Sequence, residues 1–288
     1  MQESVRQMLN TNKDTALLLV DIGAWPFRDL LETYPNRAKN IGIFEAGTVS
    51  LAAGLSLMGI TPIVYGISPF IVQRALEQLK LDFIYQKTGG NFITTGASYD
   101  FSTLGYSHYC PEDVATLLQL PGMEILTPAT PDQFRSLWAA CSMNGNPSYF
   151  RMTDHPSTRN PAAIFGKASI LQEGKKALVI TAAELLDTVA DACQGEDVTV
   201  LHYSTITPFD KETIRRHYCE RVLICEPFYQ GTMAPLVLDA LQGYPVLLRS
   251  LGVPREVLRT YGTKAEKDFH LGLTKESISR TLREFLEG

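Results

Sequence analysis

The chain has 288 residues, 45% of them hydrophobic, which is enough for two ordinary domains with real cores. Its formal net charge of -5 leaves no basic stripe to meet a phosphate backbone, so nucleic acid is excluded as a partner. No apolar run approaches the roughly 20 residues of a membrane span, the opening MQESVRQMLNTNKD is polar and not leader-like, and no two cysteines stand in a C-x-x-C pair, so the expected location is the reducing cytoplasm.

In chain order, ALLLV (16–20) predicts a buried strand. It ends at DIG, which sets Asp21 at the carboxyl edge of a sheet, where α/β proteins bind ligands. The stretch NIGIFEAGTVSLAAGLSLMG (40–59) then runs into a small-residue apolar helix whose only ionisable side chain is Glu45. A carboxylate at the head of a buried helix is costly unless paired, so Glu45 is either an exposed cap or a residue kept for chemistry. PIVYGI predicts the next strand, PFIVQRALEQLK a helix over 69–80, and NFITT a further strand after the turn at Gly89 and Gly90. Residues 96–110, GASYDFSTLGYSHYC, have no period and are rich in turn formers and aromatics, as functional loops are. PEDVATLLQL (helix), MEILTPA (strand), PDQFRSLWAA (helix) and SYFRM (strand) complete a first domain over 1–153.

The segment DHPSTRNPAAIFGK, 154–167, reads as a linker. From 168 to 288 the alternation restarts on a smaller scale, from the strand ALVIT to the closing amphipathic helix ESISRTLREFLE. The fold class is therefore α/β, with two domains that are each a mainly parallel sheet flanked by helices. No P-loop, dinucleotide fingerprint, G-x-S-x-G elbow or ligand-spaced histidine pair is present, and no metal site is expected from this chain alone.

Five motifs in order carry a resemblance. GIFEAGTVSLAAGLSLMGITP (42–62), SPFIVQRALEQ (68–78), GYSHYCPED (105–113), LPGMEILTPATPDQ and TITPFD (205–210) resemble the pyrimidine-binding and carboxyl-terminal half of the transketolase superfamily over essentially the whole chain. The resemblance implies a thiamine diphosphate enzyme in which Glu45 contacts N1′ of the cofactor's aminopyrimidine from a dry pocket. It implies that Phe70 is the aromatic wall of that ring, with Tyr65 or Ile67 as substitutes because the spacing before R-A-x-E-Q is one residue longer than usual. It implies that His108 reaches the substrate oxygen and that Asp21 lies near the cofactor. Arg151 matches a Y-x-R element whose first arginine is commonly structural.

Three contacts to a sugar's distal phosphate look absent, since Gly96, Trp25 and Asp154 stand where the superfamily has histidine, serine and arginine. Leu104 likewise replaces an aspartate, so a modified or nucleotide-linked sugar is the expected substrate. No G-D-G with a downstream asparagine occurs, so a second polypeptide is expected to bind the cofactor's diphosphate and Mg2+, in a dimer of heterodimers with the cofactor at the interface. The alternatives are a 2-oxoacid dehydrogenase beta subunit, which shares the fold and the glutamate, and a non-catalytic regulatory paralogue.

Overall fold

The structure is a computed structural model that describes all 288 residues. Its strands are β1 (Thr15–Leu19), β2 (Ala38–Asn40), β3 (Thr61–Ile67), β4 (Gly90–Thr95), β5 (Glu124–Leu126), β6 (Pro147–Arg151), β7 (Ser169–Gln172), β8 (Leu178–Ala182), β9 (Thr199–Tyr203), β10 (Thr205–Thr207), β11 (Arg221–Tyr229) and β12 (Leu247–Val253). The larger sheet has the order β10-β5-β6-β4-β3-β1-β2 and the smaller one β12-β11-β8-β9-β7. Every pairing is parallel except β10 with β5 and β7 with β9, both at sheet edges. Strands β1, β4, β6, β8 and β9 are buried at every position, as strands covered by helices on both faces must be.

The covering helices are α1 (Gln2–Thr11), α2 (Arg28–Thr33), α3 (Glu45–Leu57), α4 (Ser68–Val72), α5 (Leu76–Gln78), α6 (Asp113–Leu117), α7 (Pro131–Cys141), α8 (Leu186–Ala192), α9 (Lys211–Arg216), α10 (Ala234–Ala240), α11 (Lys264–His270) and α12 (Lys275–Glu287). Under α1 and α7 lies one apolar cluster, and under α8 and α12 another. The largest cluster joins the inner faces of both sheets, from Val64, Phe92 and Tyr149 to Ile180, Leu201 and Ile224. The two sheets thus share a core.

Several elements differ from the sequence reading. The opening polar segment is a helix, because Val5, Met8 and Leu9 fall three and four apart and bury together. The helix expected over 69–80 is broken: α4 stops at Val72, a turn takes Gln73–Ala75, and after α5 the chain continues as a π-helix from Leu79 to Tyr85. Strand β10 lies beyond the expected linker yet completes the larger sheet, with Thr205 paired to Leu126. Residues 152–168 contain no helix or strand, but they are anchored on both sides. The Ser157 N–H donates to the Ala129 carbonyl at 2.9 Å, and the Thr158 hydroxyl donates to Asp187 at 2.8 Å.

Topology decides where function can sit. Because β1, β2, β3 and β4 run parallel, the segments that follow them all emerge at one edge of the sheet. Asp21 follows β1, Glu45 begins the helix after β2, Phe70 is in the helix after β3, and the 96–110 loop follows β4.

Candidate active site

Helix α3 buries Glu45, Thr48, Val49, Ala52 and Ala53, the stripe that a 3.6-residue period gives from position 45. Glu45 is on that stripe and only 2% exposed, so it is no solvent-facing cap. The opposite face of the helix is also apolar. Leu51, Leu57 and Met58 are exposed, as are Ile43 and Phe44 just before the helix. The Phe44 ring lies so close over Gly47 that a Cβ there would come within 1.9 Å of it, so glycine is what lets this ring lie against the first turn.

The buried carboxylate finds one cation. Arg74 Nη1 donates to Glu45 Oε2 at 2.9 Å, and the Arg74 guanidinium carbon stands 4.3 Å from the centre of the Phe70 ring. On Phe70 an edge-on contact brings the His108 ring to 5.3 Å, while Phe101 approaches the same imidazole at 6.3 Å. The Ser107 hydroxyl is 3.1 Å from His108 Nδ1. Glu45, Phe70 and His108, far apart in sequence, therefore form one continuous chain of contacts through Arg74. Arg74 itself carried no role in the sequence reading; its only signal was the R of R-A-x-E-Q.

The other expected residues lie elsewhere around the edge. Asp21 is exposed with φ of +68°, and its backbone N–H donates to Asn40 Oδ1 at 3.0 Å. The same oxygen accepts the Gly42 N–H at 3.1 Å, which ties the turn after β1 to the entrance of α3. Tyr65 is buried on the opposite sheet face from α3, edge-on to Phe27 at 5.5 Å. Burial, then the nearby Asp154 carboxylate, push its hydroxyl up to about 12. Ile67, by strand alternation, belongs to the face of Tyr65.

Of the three positions that depart from the expected phosphate contacts, Gly96 and Asp154 are tied into the fold and Trp25 is not. Gly96 has φ of +82° and lies under Phe101, whose ring would be 2.5 Å from a Cβ at that position. Phe101 thus fills the space a longer side chain would need. Asp154 accepts from the Thr95 hydroxyl at 3.1 Å, and Trp25 is 80% exposed.

Arg151 is completely buried between the two sheets. It donates to Asp113 Oδ2 at 2.9 Å, to Glu184 Oε2 at 2.7 Å and to the Ser98 hydroxyl at 2.5 Å, and its guanidinium faces Phe228 at 4.9 Å. Asp113 and Ser98 belong to the larger unit, Glu184 and Phe228 to the smaller, so Arg151 clasps the units and is closed off from solvent. Asp100, on the same loop, is raised to about 7 by burial and then by the Glu184 charge. A folded-state value above the ordinary 3.8 means that the native state holds its proton after the unfolded chain has released it. Stability is therefore lost as pH rises from about 4 to about 7 and is level above that range. Asp100→Asn is expected to melt higher than the parent, by a margin that grows over that window; a margin independent of pH would show that Asp100 stays ionised.

These features define an α/β protein in which Glu45, Arg74, Phe70 and His108 gather at the carboxyl edge of the larger sheet. Residues 8–155 match the family described as transketolase, pyrimidine binding domain, and the chain belongs to that family. An uncharacterized 33.6 kDa protein in the fasciation locus of Rhodococcoides fascians is 33% identical over 284 residues, 96% of this chain and 91% of that one. One subunit of an apulose-4-phosphate transketolase from Phocaeicola vulgatus is 29% identical over 302 residues, covering 99% and 96%. A solved split-gene transketolase, described as an inactive beta4 tetramer, superposes with a TM-score of 0.86 at 22% identity over 99% of this chain and 96% of that one, a likeness of fold.

Proposed function

We propose that this chain is the pyrimidine-binding subunit of a split transketolase-like enzyme, with 1–153 as the pyrimidine-binding domain and 168–288 as the second domain. It would move a two-carbon ketol unit between sugar-type substrates with thiamine diphosphate. The observation that carries this reading is the run of contacts from buried Glu45 through Arg74 and Phe70 to His108. That set fits an aminopyrimidine: a dry carboxylate with one oxygen engaged, and a partly exposed phenyl ring within one helix turn of the arginine that engages it.

When bound, thiamine diphosphate supplies a carbon nucleophile that no side chain can offer. Glu45 would hold a proton at N1′ of its pyrimidine, a task that needs a carboxylate out of water. Phe70 would present its ring to the pyrimidine. His108, braced by Phe70, Phe101 and Ser107, would hold or accept a proton at a substrate oxygen.

A diphosphate-binding partner chain, carrying the Mg2+ site, would complete the cofactor pocket in a dimer of heterodimers. The uncovered apolar surface along α3, from Ile43 and Phe44 beside Glu45 to Leu57 and Met58 at the far end of the helix, supports this, because a face of that kind is normally covered in an assembly. The Phocaeicola vulgatus relative, named as one subunit of its transketolase, supports it as well. Gly96 beneath Phe101, Trp25 and Asp154 support a substrate whose far end is not clamped as an ordinary sugar phosphate is, and the apulose-4-phosphate relative is named for a sugar other than the common pentose phosphates.

The test is co-expression with a diphosphate-binding transketolase chain. Ketol transfer that requires both chains and thiamine diphosphate, with Phe44→Asp abolishing co-purification, is expected. Full turnover by this chain alone would overturn the split-enzyme reading.

A further inference from the structure

Arg74 sits in the turn that breaks the expected 69–80 helix, between α4 and the π-helical stretch. Interruptions of this kind concentrate at functional segments. Phe70 and Arg74 are four residues apart, a spacing that sets side chains next to one another on one face of a turn. The guanidinium is thereby braced on the Phe70 ring while Nη1 reaches Glu45 Oε2. The arginine is 47% exposed and the glutamate 2%, so the pair is lopsided: the cation is wet and the carboxylate is dry. Glu45 Oε2 takes no other hydrogen bond, and Oε1 takes none from the chain.

We infer that Arg74 is a positioning residue for Glu45: braced on Phe70, it fixes one carboxylate oxygen and leaves the other free for the cofactor's pyrimidine. This rests on the cofactor reading given above. An exposed ion pair contributes little as a rule, but here one partner is dry and has no other cation, and the other is held by a ring face. Arginine suits the task because its planar guanidinium can stack and donate together, whereas a lysine ammonium cannot stack in that way.

The experiment uses the two-chain complex with thiamine diphosphate and compares Arg74→Met, Arg74→Lys and Glu45→Gln. Cofactor affinity is read by calorimetry, the tautomeric state of the bound pyrimidine by near-ultraviolet circular dichroism, and kcat and acceptor KM by steady-state assay. Arg74→Met is expected to change the dichroism as Glu45→Gln does and to lower kcat by roughly tenfold or more, the equivalent of one charge-assisted hydrogen bond, with acceptor KM unchanged. Arg74→Lys should recover part of both signals, which a purely structural role would not predict. Parental dichroism and kcat in Arg74→Met, with Glu45→Gln impaired, would overturn the role of Arg74 alone. Tighter cofactor binding by Arg74→Met with undiminished kcat would also overturn it, by making the guanidinium a competitor for the Phe70 face. Parental behaviour of Glu45→Gln would overturn the cofactor reading and this inference with it.

Discussion

Replacing Glu45 with glutamine is expected to cut kcat of the two-chain enzyme by roughly 10²–10⁴-fold, the range lost with a proton-transfer group, while the subunit stays folded. The reasoning is local. Glutamine keeps the shape of the side chain, and its amide oxygen can still accept from Arg74 at the position now held by Oε2. Arg74 is half in water and keeps its solvation. The variant removes a charge from a dry site and sets its amide nitrogen where Oε1 already has no partner in the chain, so one unpaired polar atom replaces another and the melting temperature should remain within a few degrees of the parent. What it cannot do is carry a proton at N1′. A steady-state assay with a parallel thermal melt checks both halves, and undiminished turnover would return Glu45 to the role of a helix-end carboxylate.

Arg151→Met has the opposite profile, a large loss of stability that arises outside the cofactor contacts. Removing the guanidinium leaves Asp113 and Glu184 buried without their cation, and Asp113 is already pushed upward by its burial. Breaking a buried pair in this way costs about 3–5 kcal/mol, or roughly 10 °C of melting temperature for a chain of this size. The sign with pH follows. Carboxyls without a cation are tolerated when protonated, so the deficit should shrink as the pH is lowered toward about 4 and widen toward neutrality. Differential scanning calorimetry across that range tests this. A fall of only about 2 °C, independent of pH, would mean that water reaches the clasp.

Much of the architecture was legible because its signals are local. Runs such as ALLLV and RVLICE mark strands buried on both faces, and their alternation with helical segments implies parallel pairing. Helix α1 was equally readable from Val5, Met8 and Leu9 but was hidden by its polar composition. Strands β7 and β10, at four and three residues, are too short to show a period and exist only because a sheet edge accepts them. The break at Gln73–Ala75 was not legible, since PFIVQRALEQLK has no proline or glycine inside it.

The sequence alone determined that a single carboxylate opens an apolar helix, but with both faces of that helix apolar it left the direction of Glu45 open; packing put Glu45 on the buried stripe with Val49 and Ala52. The motifs placed Phe70 and His108 in the segments after the next two strands. Tertiary structure decided what the sequence left open: that Arg74 is the cation meeting Glu45, that Phe101 occupies the space above Gly96, and that Arg151 closes the joint between the sheets. The reason is physical. Periodicity fixes which way a side chain faces within its own element, whereas the identity of the group across from it depends on how separate elements pack.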